Sequence, residues 1–298
     1  MLYGCGSVAG GVGDSPSTED EAVIARAKPP RCNLARPFDP PFALAGLNTT
    51  AWEFVPALSS DELTIYFAST RPGGPGATDI YVATRASTAV TFGIPMLLAG
   101  VNSPDSESRP TLPADGLTIY VTSTSGGVSR IARATRPSTS ASFGALVPVA
   151  ALNSTPSTSS NFGAYVLPDH RAIYFVSTRS GGPQLYRAAR TGDTFAPPVV
   201  VTVENFPGAV VNHPVVSADE KTLLFPSLLP GGKGDLDIWV ATRSSTAENF
   251  KAPTLVTELN TPAQDQPGWL SPDGCTLYFS RMVGPDNVDL YVAHRPAT

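Results

Sequence analysis

Basic residues are scarce in this chain, and their scarcity excludes one class of partner. Lysine and arginine number 20 against 25 aspartates and glutamates, so the formal net charge is −5 over 298 residues. A chain without a basic excess has no evident face that would neutralise phosphates, which argues against a nucleic acid partner. Long apolar runs are also lacking, since none approaches the roughly 18 residues expected of a membrane-spanning helix.

Signatures of metal and cofactor sites are lacking too. The three histidines, His170, His213 and His294, fall at non-equivalent places, which gives no support for a zinc site. The acidic stretch at residues 234–237 lacks the bidentate glutamate of a calcium loop. No phosphate-binding loop, dinucleotide fingerprint or Gly-x-Ser-x-Gly elbow occurs. We therefore expect no metal and no organic cofactor.

The chain is instead rich in proline and glycine, with 30 and 26 residues, and it repeats one segment five times. Residues 61–85 hold two apolar, β-branched and aromatic runs around a Gly- and Pro-rich turn, the pattern of a β-hairpin. The copies open at Asp61, Asp115, Asp169, Asp219 and Asp273, with spacings of 54, 54, 50 and 54 residues, which indicates a repeat architecture. We predict that these aspartates hold turns rather than perform catalysis.

A second motif connects the hairpins and predicts how the repeat closes. It runs from a phenylalanine to an asparagine at residues 38–48, 92–102, 143–153, 195–205 and 250–260, once before the first hairpin and not after the fifth. An open array would leave unpaired edge strands. A ring results if residues 38–47 pair with residues 289–294. With a short first strand before each aspartate, the predicted fold is all-β: a five-bladed β-propeller of four-stranded antiparallel blades.

The predicted propeller is a single domain of residues 31–298. Its blades are expected at about residues 53–102, 107–153, 161–205, 211–260 and 265–298, with residues 36–48 completing the last. Residues 1–30 contain too few large apolar groups to pack, so we expect a flexible tether. Within it, residues 2–5 (Leu-Tyr-Gly-Cys) resemble a lipoprotein box in which Cys5 carries the lipid. The alternatives are an unmodified cysteine and a start upstream of Met1.

The repeated motifs resemble the TolB-like (WD40-like Pro-Asp) β-propeller repeats over about residues 36–298. The last copy carries the motif as Ser-Pro-Asp-Gly at 271–274 and Asp-Leu-Tyr at 289–291, and the first carries Ser-Thr-Arg at 69–71. The second copy departs from the pattern, with Ser125 in place of the arginine. The resemblance implies a bacterial, exported protein of the periplasm or outer membrane that binds or scaffolds, usually without an assigned reaction.

Acidic residues recur eight positions before the turn aspartates. The aligned residues are Glu53, Glu107, Asn161, Val211 and Asp265. In a propeller this register falls near the entrance of the central channel, so the three carboxylates are expected to share a rim. Trp52 and Trp269 lie near two of them in sequence. These five residues, Trp52, Glu53, Glu107, Asp265 and Trp269, are the candidate ligand-binding set.

Several interpretations of this rim are open. It could bind a ligand or a cation, or its carboxylates Glu53, Glu107 and Asp265 could serve a glycosidase as acid and base. Alternatively, the acids could be the ordinary polar lining of a wet channel, and the tryptophans could be buried between blades.

The cysteines also leave two alternatives. Cys32 and Cys275 could form a disulfide in an exported protein or remain separate thiols.

The leading functional hypothesis is a non-enzymatic, monomeric envelope protein that binds a protein or glycan at one end of the propeller. Its only membrane attachment would be the lipid at Cys5. The first alternative is a glycoside hydrolase acting at the channel rim, and the second is a purely structural envelope protein.

Overall fold

The computed structural model describes residues 32–153, 158–206 and 212–298, and every regular element in these ranges is a β-strand. None of the described residues belongs to a helix that could cross a membrane. Residues 1–31, which include Cys5 and the predicted tether, lie outside the described residues, as does Val211.

The strands form five antiparallel sheets, each a blade of the propeller. The first strand of the chain is β1 (Phe42–Ala43), which belongs to the fifth blade. Blade one consists of β2 (Glu53–Leu58), β3 (Thr64–Ser69), β4 (Asp79–Thr84) and β5 (Met96–Leu97). Blade two consists of β6 (Ser106–Thr111), β7 (Thr118–Ser125), β8 (Val128–Thr135) and β9 (Val147–Pro148).

Blade three consists of β10 (Asn161–Val166), β11 (Ala172–Ser177), β12 (Gln184–Thr191) and β14 (Val199–Val200), with an extra short strand, β13 (Thr194–Phe195), at the end of β12. Blade four consists of β15 (Val215–Val216), β16 (Thr222–Ser227), β17 (Asp237–Thr242) and β18 (Thr254–Leu255). Blade five consists of β19 (Asp265–Leu270), β20 (Thr276–Gly284), β21 (Asn287–His294) and β1.

The ring closes as predicted, which confirms the fold. In blade five, β1 pairs antiparallel with β21, and Phe42 lies opposite Val292. A disulfide joins Cys32 to Cys275 close by, and Cys32 also forms a β-bridge with Ala297. The early and late parts of the chain are therefore held together by strand pairing and by a covalent bond.

The repeated aspartates hold turns, as predicted. Each side chain accepts a hydrogen bond from the backbone N–H two residues later, and the donors are Leu63, Leu117, Arg171, Lys221 and Cys275. In blades one, four and five a serine hydroxyl also donates to the aspartate. The recurrence of Asp in the sequence is thus explained by local backbone geometry.

Tyrosines and arginines join neighbouring blades along their seams. Arg85, Arg136 and Arg243 donate to the tyrosine hydroxyl of the preceding blade, on Tyr278, Tyr66 and Tyr174 respectively. These once-per-blade arginines therefore brace neighbouring blades at three seams. Arg190 instead contacts His170 of its own blade, and Arg295 lies over the Phe38 ring.

The innermost strands pack tightly at the centre of the ring. Four of them contain a bulge, and in three the bulge holds a left-handed residue: Val55 (φ 47°), Arg109 (φ 54°) and Gly163 (φ 62°). At Gly163 any side chain would collide with a neighbouring strand, because an added Cβ would lie 2.3 Å from the carbonyl oxygen of Asn212. At this level the centre of the ring is filled by protein.

Candidate functional site: the entry end

One end of the propeller gathers all of the sequence-predicted acids. It is the end at which the innermost strands begin, and we call it the entry end; Glu53, Glu107, Asn161 and Asp265 lie at or next to these strand starts. The loops between the second and third strands of each blade reach the same end, because antiparallel neighbours reverse direction. Loops held on a rigid β-scaffold are the usual carriers of binding function.

Glu53 secures the loop that enters blade one. Its carboxylate accepts hydrogen bonds from the Thr49 N–H (2.8 Å), the Thr49 hydroxyl (2.8 Å) and the Ser69 hydroxyl (2.9 Å). Arg71 Nη2 lies 3.1 Å from Oε1 and completes an ion pair. Glu53 is 0% exposed, so its charge is neutralised inside the protein rather than presented to solvent.

The equivalent residues of blades two and five act in the same way. Glu107 accepts from the N–H and hydroxyl of Ser103, at 2.9 and 2.6 Å. Asp265 accepts from the N–H and hydroxyl of Thr261, at 2.7 and 2.8 Å, and pairs with Arg281 Nε at 2.6 Å. Both residues are 0% exposed. The three carboxylates share one end of the ring, as the rim prediction requires, but each is enclosed by the loop that it fastens and is not exposed to solvent.

Burial changes the proton affinity of two of these acids. It raises the pKa of Glu107, although the hydrogen bonds from Ser103 oppose the shift. It also raises the pKa of Asp265, against the opposing hydrogen bond and charge of Arg281. A raised pKa suits a general acid, but a catalytic carboxyl must also reach its substrate. In the described conformation neither side chain is exposed at the surface, although Glu107 borders a cavity.

The two tryptophans do not form one surface. Trp52 precedes β2 at the entry end and is 39% exposed. Trp269 is the fifth residue of β19, four residues beyond Asp265, which places it about 13 Å farther along the strand direction. It is 7% exposed and packs edge-to-face on Tyr278 with ring centroids 5.9 Å apart. Of the pair, Trp52 alone presents its ring to solvent, and Trp269 belongs to the core between blades.

Three blades share a guanidinium site that sequence reasoning did not assign. Arg71, Arg179 and Arg281 each donate to the carbonyl of the preceding connector, on Leu47, Leu152 and Leu259 respectively. Each guanidinium lies 5.3 Å from the ring of a phenylalanine on the second strand and 4.8 to 4.9 Å from that of a tyrosine on the third. In the sequence, the Ser-x-Arg motif could have indicated two of these arginines, Arg71 and Arg179.

A polar bridge crosses the middle of the ring, and the sequence offered no pattern for it. Arg109 of blade two donates through Nε to the Asn212 side chain at 2.7 Å, and Asn212 donates in turn to Gln266. The guanidinium also lies 5.7 Å from the centre of the Phe162 ring. Burial lowers the pKa of Arg109 to about 10, and burial together with the charge of Arg109 lowers the pKa of the neighbouring His213 to about 3.

Within the described ranges no three His, Cys, Asp or Glu side chains come together as metal ligands would. What the entry end offers is therefore one exposed indole and a set of loops fixed by buried acids. Such an arrangement can bind through aromatic and loop contacts.

Comparison with known proteins supports the fold. No family model matches the chain, and no curated protein matches its sequence. TolB from Acinetobacter baumannii is similar in structure, with a TM-score of 0.50, 18% identity and coverage of 83% of this chain and 55% of that one. This chain thus spans about half the length of that TolB structure.

Glycoside hydrolases are similar in structure as well. A thermostable family-43 glycoside hydrolase matches with a TM-score of 0.57, 13% identity and coverage of 84% of this chain and 92% of that one. An α-L-arabinofuranosidase from Podospora anserina, solved in complex with cellotriose, matches with a TM-score of 0.55, 14% identity and coverage of 89% and 99%. At such identities these similarities establish the β-propeller fold alone.

Proposed function

We propose that this protein is a non-enzymatic binding module of the bacterial cell envelope that recognises a protein or a glycan at the entry end. The observation that carries the proposal is the burial of the acids. Glu53, Glu107 and Asp265 are all 0% exposed and fasten loops, so this repeated acidic set serves to fix loop geometry. Trp52 stays exposed there and is the candidate contact residue.

Export is part of this proposal. A disulfide between Cys32 and Cys275 suits an oxidising compartment, and the motif resemblance to TolB-like repeats, together with the shared fold of the Acinetobacter TolB, supports an envelope location. The proposed lipid anchor at Cys5 can be tested by radiolabelled palmitate incorporation, which a Cys5→Ser variant should abolish.

The binding test uses the full chain under oxidising conditions against a glycan array and an envelope lysate. We expect one saturable ligand, and Trp52→Ala should weaken its binding at least about tenfold, since a buried aromatic anchor commonly contributes 2 kcal/mol or more. The melting temperature of this variant should stay unchanged. Absence of any saturable ligand would favour the purely structural alternative.

Glycoside hydrolysis is the second candidate, favoured by the raised pKa values of Glu107 and Asp265. At Asp265 it requires the entry loop to open, because that carboxyl is enclosed, whereas Glu107 borders a cavity. A panel of chromogenic and polysaccharide substrates compared with a Glu53→Gln, Glu107→Gln double variant tests it. Activity that the double variant retains would remove these two residues from any mechanism.

A further inference from the structure

The guanidinium site of blades one, three and five has a counterpart in blade two that lacks its arginine. Blade two keeps the acid at Glu107 and the hydroxyl at Ser123, which correspond to Glu53 and Ser69 of blade one. The position of Arg71, however, is occupied by Ser125. The two aromatic rings of the site are also missing, since the Phe67–Tyr81 pair is replaced by Val121 and Ala132.

A cavity lies where these groups are missing. Its volume is about 460 Å³, and its lining includes Val101, Glu107, Ser123, Ser125, Arg130 and Ala132. It lies beside the loops that precede β6 and follow β7, and Ala145, Leu146 and Pro148 on the outer side of blade two also line it. Blade two can therefore be compared with blades one, three and five, in which an arginine side chain fills the same place.

The acceptors of the site are less well satisfied in blade two. In blade one, Arg71 donates from Nη2 to the Leu47 carbonyl at 2.7 Å and from Nε to the Ser69 hydroxyl at 3.0 Å. No described side chain donates to the corresponding carbonyl of Val101. The hydroxyl of Ser123 lies 3.3 Å from the Glu107 carboxylate, whereas the equivalent bond to Glu53 is 2.9 Å.

The charge around the cavity favours a cation. Among the described residues no basic group lies within ion-pair distance of Glu107. Asp105 contributes to the lining, and Asp79 lies near enough to act on Glu107 electrostatically. The one basic side chain of the lining, Arg130, donates through Nη1 to the carbonyls of Ser129 and Ser159, at 3.1 and 2.6 Å.

We propose that this cavity binds a guanidinium group supplied by an arginine side chain of a partner protein. The inference rests on the proposed binding function and names the chemistry of the partner. A planar fork of donors matches the acceptors that Arg71, Arg179 and Arg281 use in their own blades, and a point-charge ammonium does not reproduce that geometry. The missing aromatic pair leaves room for a side chain that enters from outside.

The first experiment measures the binding of Nα-acetyl-arginine amide to the full chain by ligand-observed NMR. We expect saturable binding, and the isosteric but neutral acetyl-citrulline amide should bind at least about tenfold more weakly, because it lacks the charge-assisted hydrogen bonds. Nα-acetyl-lysine amide, whose side chain carries a charged ammonium, should also bind more weakly. Equal binding of lysine and arginine, or no saturable binding of arginine, would overturn the proposal.

Variants locate the site. Ser125→Arg should fill the cavity from within, reduce acetyl-arginine amide binding at least about tenfold and leave the melting temperature equal or higher. Ser87→Arg adds the same charge at an exposed serine away from the cavity and should bind like the wild type. If Ser125→Arg fails to fold, Ala132→Tyr narrows the cavity without adding charge and should weaken binding. Unchanged binding in the folded variants would place the probe elsewhere.

The two proposals can fail separately. A partner captured equally by the wild type and by Ser125→Arg would preserve the binding function and refute the arginine site. Acetyl-arginine amide that binds at this cavity in a protein with no saturable macromolecular ligand would refute the binding function, and with it the partner protein as the source of the guanidinium, but not the guanidinium site itself.

Discussion

Glu220 of blade four accepts a hydrogen bond from Arg187 Nε of blade three at 2.6 Å, and this ion pair closes the seam between the two blades. Tyr174 of blade three also donates to Glu220, and Arg171 Nε lies 3.0 Å from it. Burial opposes the charge of Glu220, but the hydrogen bonds from Arg187 and Tyr174 outweigh it and lower the pKa to about 2. The charged form is therefore the one that the fold stabilises.

Acid should weaken the protein through this carboxylate. Because the pKa is lowered in the folded state, the contribution of Glu220 is complete above its ordinary pKa near 4.5 and is lost as pH falls towards 2. Glu220→Gln should cost about 1.5 to 3 kcal/mol at pH 7, since a neutral amide replaces the carboxylate that accepts the charge-assisted hydrogen bonds of Arg187 and Tyr174. The free energy of unfolding in urea should fall less between pH 7 and pH 3 in this variant than in the wild type. An equal fall in both proteins would assign the pH dependence of stability to other groups.

Reduction of the disulfide should destabilise the ring. Cys32 and Cys275 are separated by 243 residues, and in the chain-entropy model the loss of so long a cross-link costs about 4 to 5 kcal/mol. Urea unfolding of the Cys32→Ser, Cys275→Ser double variant against the oxidised wild type measures this cost. Cys5→Ser is the matched control and should unfold like the wild type. An equal loss of stability in both variants would show that the cost does not come from the disulfide.

The two tryptophans should separate in their effects. Trp269→Ala should cost about 3 to 5 kcal/mol of stability, because it removes a large side chain from the core between blades. Trp52→Ala should change stability by less than about 1 kcal/mol, since its ring is 39% exposed. Thermal unfolding followed by circular dichroism distinguishes the two. Similar melting temperatures for both variants would show that Trp269 does not support the core.

The connector asparagines offer a test with an internal control. Asn260 accepts from the Ile238 N–H at 2.7 Å and donates to the Ile238 carbonyl at 2.9 Å, and Asn48, Asn102 and Asn153 make the same pair of bonds in their blades. Asn260→Ala should therefore cost about 1 to 3 kcal/mol. Asn205 holds the aligned position of blade three but is exposed, so Asn205→Ala should cost less than about 1 kcal/mol, mainly because alanine is disfavoured at its left-handed φ of 50°. Chemical denaturation of both variants measures the two costs.

The blade count and the mode of closure could be predicted from the sequence because they follow from repetition. Five aspartates at nearly constant spacing each hold the same turn, and a connector series that starts one copy early has only one partner that leaves no edge unpaired. Local backbone chemistry is enough for such inferences. The aspartate turns and the pairing of β1 with β21 both followed from it.

The site was harder to predict, because burial depends on contacts between distant residues. Aligned positions placed Glu53, Glu107 and Asp265 at one end of the ring, but whether their carboxylates face solvent depends on Thr49, Ser103 and Thr261 folding back over them. The burial of Trp269 likewise depends on its packing against Tyr278 of the next strand. A repeat pattern contains no information about such contacts.

By itself, the sequence determined the repeat unit, the number of blades and the strand that closes the ring, since each depends on the spacing of residues along the chain. Only the tertiary structure decided which polar groups are enclosed, that Arg109 spans the centre to Asn212, and that Ser125 leaves a cavity beside Glu107. The physical reason is that these properties arise where separate blades and loops meet. There, packing and desolvation act between residues that are far apart in the sequence, so no local sequence pattern predicts them.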